Sequence, residues 1–344
     1  MISSFPRCLS DKKMLYSDKL KFERLTEIFN MNFKVTRLYA AYLENFPELI
    51  TKNMIDALTE DGVISKKDAI CALLASAFGL DTDGSAEDRR IYRDYIIPSV
   101  RLLDAERYRN NPYYKTVKLP DVKVGSWEFR NEHYEPYRAV ICNDMMIGED
   151  LREVPPLGFF EERFDFPAVL EDGNEWMTLT PVDIDTCDEA IAAAHGKVVT
   201  FGLGLGYYAF MVARKESVES VTVVERSESV IKLFREYILP HFPDESKVRI
   251  VRADAFEYAE HVMPEEHFDY AFVDTWRDAS DGAPMLERMR ALEHLSPDTE
   301  FSYWIENFLV SRLRAIRFER IRRDLESGKL DTGYAEIEKM LREI

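Results

Sequence analysis

The sequence predicts an α/β protein in which a doubly wound, mainly parallel sheet follows a helical N-terminal domain and a β-hairpin region. Two patterns support this prediction. Between residues 183 and 306, short apolar runs alternate with segments of helical periodicity, whereas between residues 116 and 180 short aromatic or β-branched runs follow one another without a helix between them. With 344 residues and 46% hydrophobic content, the chain is long enough for two domains with buried cores.

Residues 1–115 are predicted to form the helical N-terminal domain. Apolar residues recur at helical spacing from about residue 20 to residue 108, and turn signals at Pro47, Gly62 and Gly84 divide the segment into several helices. Residues 116–180 are predicted to be β-rich and to pack on the domain that follows. The predicted strands of this region are residues 122–129, 137–141, 159–166 and 176–179.

Residues 181–306 are predicted to form the parallel sheet, and residues 307–344 a helical C-terminal tail. Helical segments separate most of the apolar runs, and such crossovers join parallel strands in a sheet that is covered on both faces. The five predicted strands are residues 198–201, 221–224, 248–251, 270–273 and 301–305.

The charge of the chain favours some partners over others. It carries 45 basic and 63 acidic side chains, with a formal net charge of -18 at pH 7. This charge repels phosphate backbones, so we expect a small-molecule substrate and no nucleic acid. No apolar run approaches the length of about 20 residues that a membrane-spanning helix needs, and the N-terminus lacks the apolar centre of a signal peptide. A cytoplasmic location without a membrane partner is therefore expected, and the oligomeric state is left open.

Neither a disulfide framework nor a metal site is predicted. The four cysteines, Cys8, Cys71, Cys142 and Cys187, are scattered without a CxxC pair, and the six histidines show no metal-ligand spacing. We therefore expect the cysteines to be buried free thiols.

Three of the 14 glycines lie within one pentapeptide, at Gly202, Gly204 and Gly206, between the first predicted strand and a predicted helix. Glycine is needed where the backbone takes a positive φ or where a ligand approaches main-chain atoms closely. Tyr207 stands where the dinucleotide fingerprint G-x-G-x-x-G has its third glycine. The spacing therefore predicts a ligand-binding turn and disfavours a nicotinamide or flavin dinucleotide.

Acidic residues follow the next three predicted strands. The second strand ends at Glu225, the third runs into Asp254, and the fourth runs into Asp274. Because the carboxyl ends of parallel strands meet at one edge of the sheet, we expect these acids and the glycine loop to line one crevice. An acid at the end of the second strand can accept hydrogen bonds from both hydroxyl groups of a ribose.

With these motifs, residues 183–306 resemble the class I S-adenosylmethionine-dependent methyltransferases, a family with a Rossmann-like fold. The resemblance implies that the glycine loop, residues 202–206, passes under the methionine part of S-adenosylmethionine and that Glu225 binds its ribose hydroxyls. It also implies that the pair Asp254-Ala255 meets the adenine and that residues 274–276 face the methyl acceptor.

Two features depart from the family pattern. Thr200 stands where the family often has an acid that contacts the amino-acid end of the cofactor, and the helical tail supplies no β-hairpin to close the sheet after its fifth strand. We therefore predict that the strands of residues 116–180 pack on the sheet and take the place of that hairpin.

The candidate catalytic residues are Asp274 and Trp276. A sulfonium methyl group is already activated, so the protein mainly has to align the reactants and exclude water. Asp274 is the candidate proton acceptor or positioning group, and Trp276 is the candidate apolar or cation-π wall beside the acceptor. The sequence thus predicts an S-adenosylmethionine-dependent methyltransferase whose small acceptor it does not identify.

Two alternatives remain open at this level, and a third is not supported. The chain is also similar to aminopropyl transferases of the spermidine synthase type, which place strands before a similar domain and acids after the fourth strand, and whose cationic substrates suit the negative charge. A non-catalytic S-adenosylmethionine-binding protein would keep the same fold. Residues 274–278 resemble the metal-binding segment of catechol O-methyltransferases, but Glu306 and Asn307 stand where those enzymes need an Asp-Asn pair, so no metal is predicted.

Two further segments attract attention. Residues 111–114, Asn-Pro-Tyr-Tyr, resemble the Asn-Pro-Pro-Tyr motif of amino-group methyltransferases that act on flipped bases, but they follow polar residues rather than a buried strand and are predicted to be a loop. Six arginines between Arg312 and Arg323 are predicted to lie on an exposed helix with charges on several faces.

Overall fold

A computed structural model of the chain describes residues 15–344, in which a five-stranded parallel sheet is accompanied by three smaller sheets. Two π-helical turns, Tyr92–Ile96 and Phe234–Ile238, interrupt helical segments. The strands are β1 (Val100–Leu103), β2 (Val122–Val124), β3 (Trp127–Tyr134), β4 (Val140–Ile141), β5 (Met146–Ile147), β6 (Glu153–Val154), β7 (Leu157–Phe160), β8 (Phe164–Glu171), β9 (Asn174–Thr178), β10 (Gly196–Phe201), β11 (Val218–Glu225), β12 (Val248–Arg252), β13 (Tyr270–Val273) and β14 (Glu300–Tyr303). The α-helices are α1 (Tyr16–Asn45), α2 (Lys52–Thr59), α3 (Lys66–Ala77), α4 (Ala86–Ile91), α5 (Ile97–Ser99), α6 (Ala105–Arg109), α7 (Pro112–Thr116), α8 (Pro181–Asp185), α9 (Asp188–Ala193), α10 (Tyr207–Ala213), α11 (Glu228–Leu233), α12 (Ala255–His261), α13 (Met263–Glu266), α14 (Ala279–Arg290), α15 (Glu306–Glu326) and α16 (Tyr334–Arg342).

The parallel sheet has the strand order β12-β11-β10-β13-β14, and every neighbouring pair in it is parallel. This confirms the predicted α/β architecture with a parallel sheet. The order reverses between β10 and β13, which makes this the switch point of the sheet. The fifth strand is shorter than predicted: it ends at Tyr303, and Ile305 takes a left-handed φ of 46° as the N-cap of α15.

Successive residues of the central strand β10 face opposite sides of the sheet, as the period of a β-strand requires. Val198 packs with side chains of α10 and α11 on one face, and Val199 packs with side chains of α12, α14 and α15 on the other. Both valines are fully buried. Because both faces are covered, the sequence of each strand is a continuous apolar run rather than an alternating one.

The register of the sheet sets the level at which its strands end. Phe201 in β10 pairs with Val224 in β11 and with Val273 in β13. The residues that follow these three are Gly202, Glu225 and Asp274, so they leave the sheet side by side at its carboxyl edge.

The N-terminal helices share a core with residues 137–159, on the other side of the predicted domain boundary at residue 115. The side chains of Val35 and Ile70, from α1 and α3, pack in one cluster with Leu157 of β7. The sequence did not predict β1, which pairs in parallel with β7. This pairing joins the helical region to the strand-rich region across that boundary.

The strands of the 116–180 region form small sheets of their own. The antiparallel sheet β2-β3-β8-β9 packs on the α10–α11 side of the parallel sheet, where the ring centroids of Phe129 and Tyr237 are 5.3 Å apart. β14 has only β13 as a strand neighbour among the described residues. The prediction that these strands take the place of a closing hairpin is therefore wrong, because they lie against a face of the domain and leave the β14 edge as the last strand.

The C-terminal helices α15 and α16 pack back on α1, where the rings of Phe29 and Phe318 stack at 4.0 Å. α15 is less exposed than its arginines suggested, since Arg314 is 5% exposed and pairs with Glu153. No helix in the described part of the chain is both long enough and apolar enough to cross a membrane.

Three of the cysteines, Cys71, Cys142 and Cys187, are free and buried. Cys8 and the N-terminal segment without a signal-peptide pattern lie outside the described residues.

Candidate functional site

The glycine loop begins at the end of β10, where the backbone of Gly202 lies against that of Asp274 after β13. Gly202 has a φ of 97°, and a Cβ atom on it would lie 1.8 Å from the carbonyl oxygen of Asp274. Hydrogen bonds from Gly202 N to Val224 O (2.9 Å) and from Asp274 N to Phe201 O (2.8 Å) continue the ladder on both sides. A side chain at position 202 would therefore separate the strands at the switch point.

The other two loop glycines make room for side chains of the protein itself. Gly204 lies under Met177 of β9, whose Cε would be 2.3 Å from an added Cβ, and the amide of Leu205 donates a hydrogen bond to Met177 Sδ at 2.9 Å. Gly206, the N-cap of α10, faces the ring of Phe234. Close packing within the chain thus accounts for part of the glycine pattern that had suggested a ligand-binding turn.

Glu225 lies beside the glycine loop. Its Oε2 accepts a hydrogen bond from Leu203 N at 3.2 Å, and its Oε1 accepts one from Ser227 N at 2.7 Å. A carboxylate oxygen has two lone pairs, so each oxygen can accept one more hydrogen bond. The half-buried carboxylate is therefore oriented by the backbone and still able to bind two donor groups.

Asp254 and Ala255 lie next to Glu225 at the end of the third strand of the domain. The amide of Ala253 donates to the carbonyl of Glu225 at 3.2 Å, which brings the two strand ends together. The Oδ1 of Asp254 accepts hydrogen bonds from Phe256 N and Glu257 N and thereby caps α12. The side chain is exposed, and capping uses only one of its two oxygens.

Asp274 is a partly buried carboxyl group at the switch point. Burial raises the pKa of Asp274 to about 8, and the negative charges of Asp183 and Glu225 contribute to this rise. No Lys or Arg of the described residues is among the groups that shift its pKa. A carboxyl group with a pKa near neutrality can exchange a proton with a substrate at physiological pH.

Asp183, the third acid beside Asp274 and Glu225, was not predicted from the sequence. It lies in the first turn of α8, where its Oδ2 accepts hydrogen bonds from both N and Oγ1 of Thr180 at 2.8 Å. Burial raises its pKa to about 6, although the Thr180 hydrogen bonds oppose the rise. The pattern Thr-x-x-Asp is a capping-box signature, so the helix start was detectable in the sequence, but its proximity to Asp274 was not.

Trp276 does not line the crevice, contrary to the prediction. Its side chain is 6% exposed and packs against Gly282 of α14 and Tyr303 of β14, in the core on the face of the sheet opposite to α10. The chain turns toward α14 directly after Asp274, and a large apolar ring two residues later enters the core. Trp276 therefore packs the sheet against α14 and is not an acceptor wall.

The structure thus brings together the glycine loop, Glu225, Asp254, Ala255 and Asp274 at one edge and adds Asp183 to them. Among residues 15–344, no group of three or more His, Cys, Asp or Glu side chains is arranged to hold a metal ion.

The sequence matches no protein-family model and no curated protein. Among solved structures, the chain is similar to spermidine synthase from Thermotoga maritima, with 20% identity over 45% of this chain and 58% of that one and a TM-score of 0.31. A spermidine synthase in complex with the transition-state analogue AdoDATO has 21% identity over 45% of this chain and 60% of that one, with a TM-score of 0.33. A Staphylococcus aureus protein suggested to be a caffeoyl-CoA O-methyltransferase has 17% identity over 35% of this chain and 66% of that one, with a TM-score of 0.26.

The matched region spans about three fifths of the length of each spermidine synthase. At these TM-scores the similarities do not indicate a function. The function proposed below is argued from the contacts of the site.

Proposed function

We propose that this chain is an S-adenosylmethionine-dependent methyltransferase for a small-molecule acceptor and that it binds the donor between the glycine loop and Glu225. The observation that carries the proposal is the 3.2 Å contact between Glu225 Oε2 and Leu203 N. It joins the acid at the end of β11 to the glycine loop, at the edge and beside the switch point where open α/β sheets bind their ligands.

The residues of the crevice fit the adenosine half of the donor. The two oxygens of Glu225 are held by backbone amides and keep lone pairs for both ribose hydroxyls. Ala255 opens α12 after a strand end that is hydrogen-bonded to the backbone of Glu225, and we assign it to the adenine. The amino-acid half of the donor has fewer partners, since Thr200 is 2% exposed inside the sheet and offers no carboxylate.

The charge of the crevice fits a cation. Asp183 and Glu225 both raise the pKa of Asp274, so a positive charge bound among the three carboxyl groups would relieve their repulsion. The donor carries a sulfonium cation and supplies an activated methyl group when bound. A bound cation would also lower the pKa of Asp274 and thereby increase the fraction of its carboxylate form at neutral pH.

The residues of this chain would then bind and orient the donor and take a proton from the acceptor. Glu225 fixes the ribose, the loop backbone supports the rest of the donor, and Met177 of β9 covers the loop from above. Asp274 is the proton acceptor for the acceptor group as the methyl group is transferred. Alignment and exclusion of water account for most of the rate enhancement in such a transfer.

Calorimetry with S-adenosylmethionine and S-adenosylhomocysteine tests the proposal. Glu225→Ala removes two hydrogen bonds from a charged acceptor, so we expect the affinity to fall by about a hundredfold or more. Glu219→Ala is the matched control, because Glu219 is an exposed acid at the opposite end of the same strand. Equal affinities of the two variants, or no binding to the unmodified protein, would overturn the proposal.

Aminopropyl transfer is the second candidate, and one observation favours it. Within residues 15–344, no Lys or Arg is among the main groups that shift the pKa values of Asp183 and Asp274, so the carboxylate of S-adenosylmethionine would meet acids at this site. Decarboxylated S-adenosylmethionine lacks that carboxylate, and an amine acceptor would add positive charge. Tighter binding of the decarboxylated donor, with propylamine transfer to a diamine, would replace methyl transfer as the assignment.

A further inference from the structure

The segment 111–114, which the function proposed above does not use, lies against the glycine loop. It is not the predicted loop: Asn111 caps the short helix α7, and its Oδ1 accepts a hydrogen bond from Tyr113 N at 2.9 Å. The cap orients the helix so that the side chains of Asn111 and Tyr113 reach residues 205–207, more than 90 positions later in the chain.

Two hydrogen bonds connect this segment to the loop and to the first residue of α10. The hydroxyl of Tyr113 donates to the carbonyl oxygen of Leu205 at 2.5 Å, and Nδ2 of Asn111 donates to the hydroxyl oxygen of Tyr207 at 3.0 Å. The ring of Tyr113 also packs edge-on against the rings of Tyr207 and Phe210, with centroid distances of 5.7 and 5.3 Å.

The contact with Leu205 is dry. Both Tyr113 and Leu205 are 1% exposed, so water has little access to replace the tyrosine hydroxyl at this carbonyl. A buried carbonyl that loses its donor favours a rearrangement of its peptide that restores a hydrogen bond. The amide of Leu205 is held on another side by Met177, so Tyr113 and Met177 together fix this residue of the loop.

The contacts of Tyr207 explain why the third glycine of the dinucleotide fingerprint is absent from this chain. A glycine at this position would supply neither the ring that packs against Tyr113 nor the hydroxyl that accepts the hydrogen bond from Asn111. The tyrosine therefore couples the start of α10 to a segment that lies outside the parallel-sheet domain.

We propose that Tyr113 and Asn111 are positioning residues of the donor site: they hold the glycine loop in the shape that receives the part of the donor beyond its ribose. This inference rests on the proposed function. Neither residue touches the donor, and both act through Leu205 and Tyr207.

The test compares two ligands that differ in their use of the loop. S-adenosylhomocysteine needs both Glu225 and the loop, whereas adenosine ends at the ribose and needs Glu225. In Tyr113→Phe we expect the affinity for S-adenosylhomocysteine to fall by about 10-fold, because a loop without this hydrogen bond adopts its receptive shape less often, while the affinity for adenosine stays within about 2-fold.

Tyr114→Phe is the matched control. Its hydroxyl donates to a backbone carbonyl at the same distance of 2.5 Å, but that carbonyl belongs to Leu179 rather than to the loop. Loss of the Tyr114 hydroxyl should leave the ratio of the affinities for S-adenosylhomocysteine and adenosine unchanged. Asn111→Ser keeps a side chain that can cap α7 and removes the contact with Tyr207, so it should weaken S-adenosylhomocysteine binding by about 3-fold even if Tyr113→Phe folds poorly.

The outcomes separate the two proposals. If the unmodified protein binds neither ligand, the proposed function fails. If it binds both ligands and the variants weaken both equally, or change neither, the positioning role is overturned while the donor site remains. A selective loss of S-adenosylhomocysteine affinity in both variants establishes the positioning role.

Discussion

Two carboxyl groups of this chain, one buried and one partly buried, have opposite surroundings. Glu153 of β6 is 5% exposed, and it accepts hydrogen bonds from Arg314 Nη1 at 3.0 Å and from Ser311 Oγ at 2.6 Å. At the switch point, the pKa of Asp274 is set mainly by burial and by the negative charges of Asp183 and Glu225. Burial raises the pKa of both groups, but a cation and a hydroxyl offset the rise only at Glu153.

This difference in partners indicates that Glu153 is a structural carboxylate and that Asp274 is suited to bind a ligand. The backbone amide of Glu153 also donates to Asn32 of α1, and Arg314 donates to the carbonyl of Leu341, so this junction ties α1, β6, α15 and α16 together. Within the described part of the chain, the side chain of Asp274 forms no comparable junction. An unpaired carboxyl group in a crevice weakens the fold unless a positive partner binds there.

The largest effect should come from breaking the Glu153 pair. Arg314→Ala leaves a buried carboxylate without its partner, so we expect the free energy of unfolding to fall by about 3 to 5 kcal/mol. Urea unfolding at pH 7 measures this loss. Calorimetry should show donor affinity unchanged, because the junction lies away from the glycine loop.

Two controls accompany this variant. Arg312→Ala, at an exposed position of the same helix, should change stability by less than about 0.5 kcal/mol. Replacing both partners, with Glu153→Gln and Arg314→Met, should cost less than Arg314→Ala alone, since no buried charge is left unpaired. Equal losses in the single and double variants would show that the arginine acts by packing rather than by pairing.

Asp274→Asn should have the opposite effect on the ligand-free protein. The pKa of Asp274 is raised from 3.8 to about 8 in the folded protein, so the folded state keeps a proton that the unfolded state loses between about pH 4 and pH 8. The stability of the unmodified protein therefore falls as pH rises through this window. We expect Asp274→Asn to be more stable by about 1 to 3 kcal/mol at pH 8, with no gain below pH 4, and to lose turnover.

Urea unfolding at pH 4 and pH 8 measures this difference. A variant that is destabilised equally at both values would mean that Asp274 is a packing residue and that its charge is irrelevant to folding.

The smallest effect concerns the coupling of two acids. Asp183→Asn removes a negative charge that raises the pKa of Asp274, so the pKa of Asp274 should fall. Carboxyl titration by 13C NMR, or the acidic limb of the rate profile, reports the change. An unchanged pKa of Asp274 would show that the charge of Asp183 does not contribute to it.

Local sequence patterns were sufficient to predict the parallel sheet and part of the site. Each strand of the sheet is covered on both faces and therefore appears as an apolar run, and the helical segments between runs imply parallel pairing. The glycine loop and Glu225 followed from this pairing, since strand ends in register must share an edge. Trp276 was misplaced because the sequence does not reveal where the chain turns after Asp274.

What the sequence by itself determined is the order of elements and the edge of the sheet that gathers Gly202, Glu225 and Asp274, because hydrophobic periodicity and the handedness of crossovers act locally. What only the tertiary structure decided is the second wall of the site: Asp183, Met177 and Tyr113 reach the glycine loop or Asp274 from elements outside the sheet. Their positions depend on how separate layers pack, and packing of this kind leaves no periodic trace along the chain.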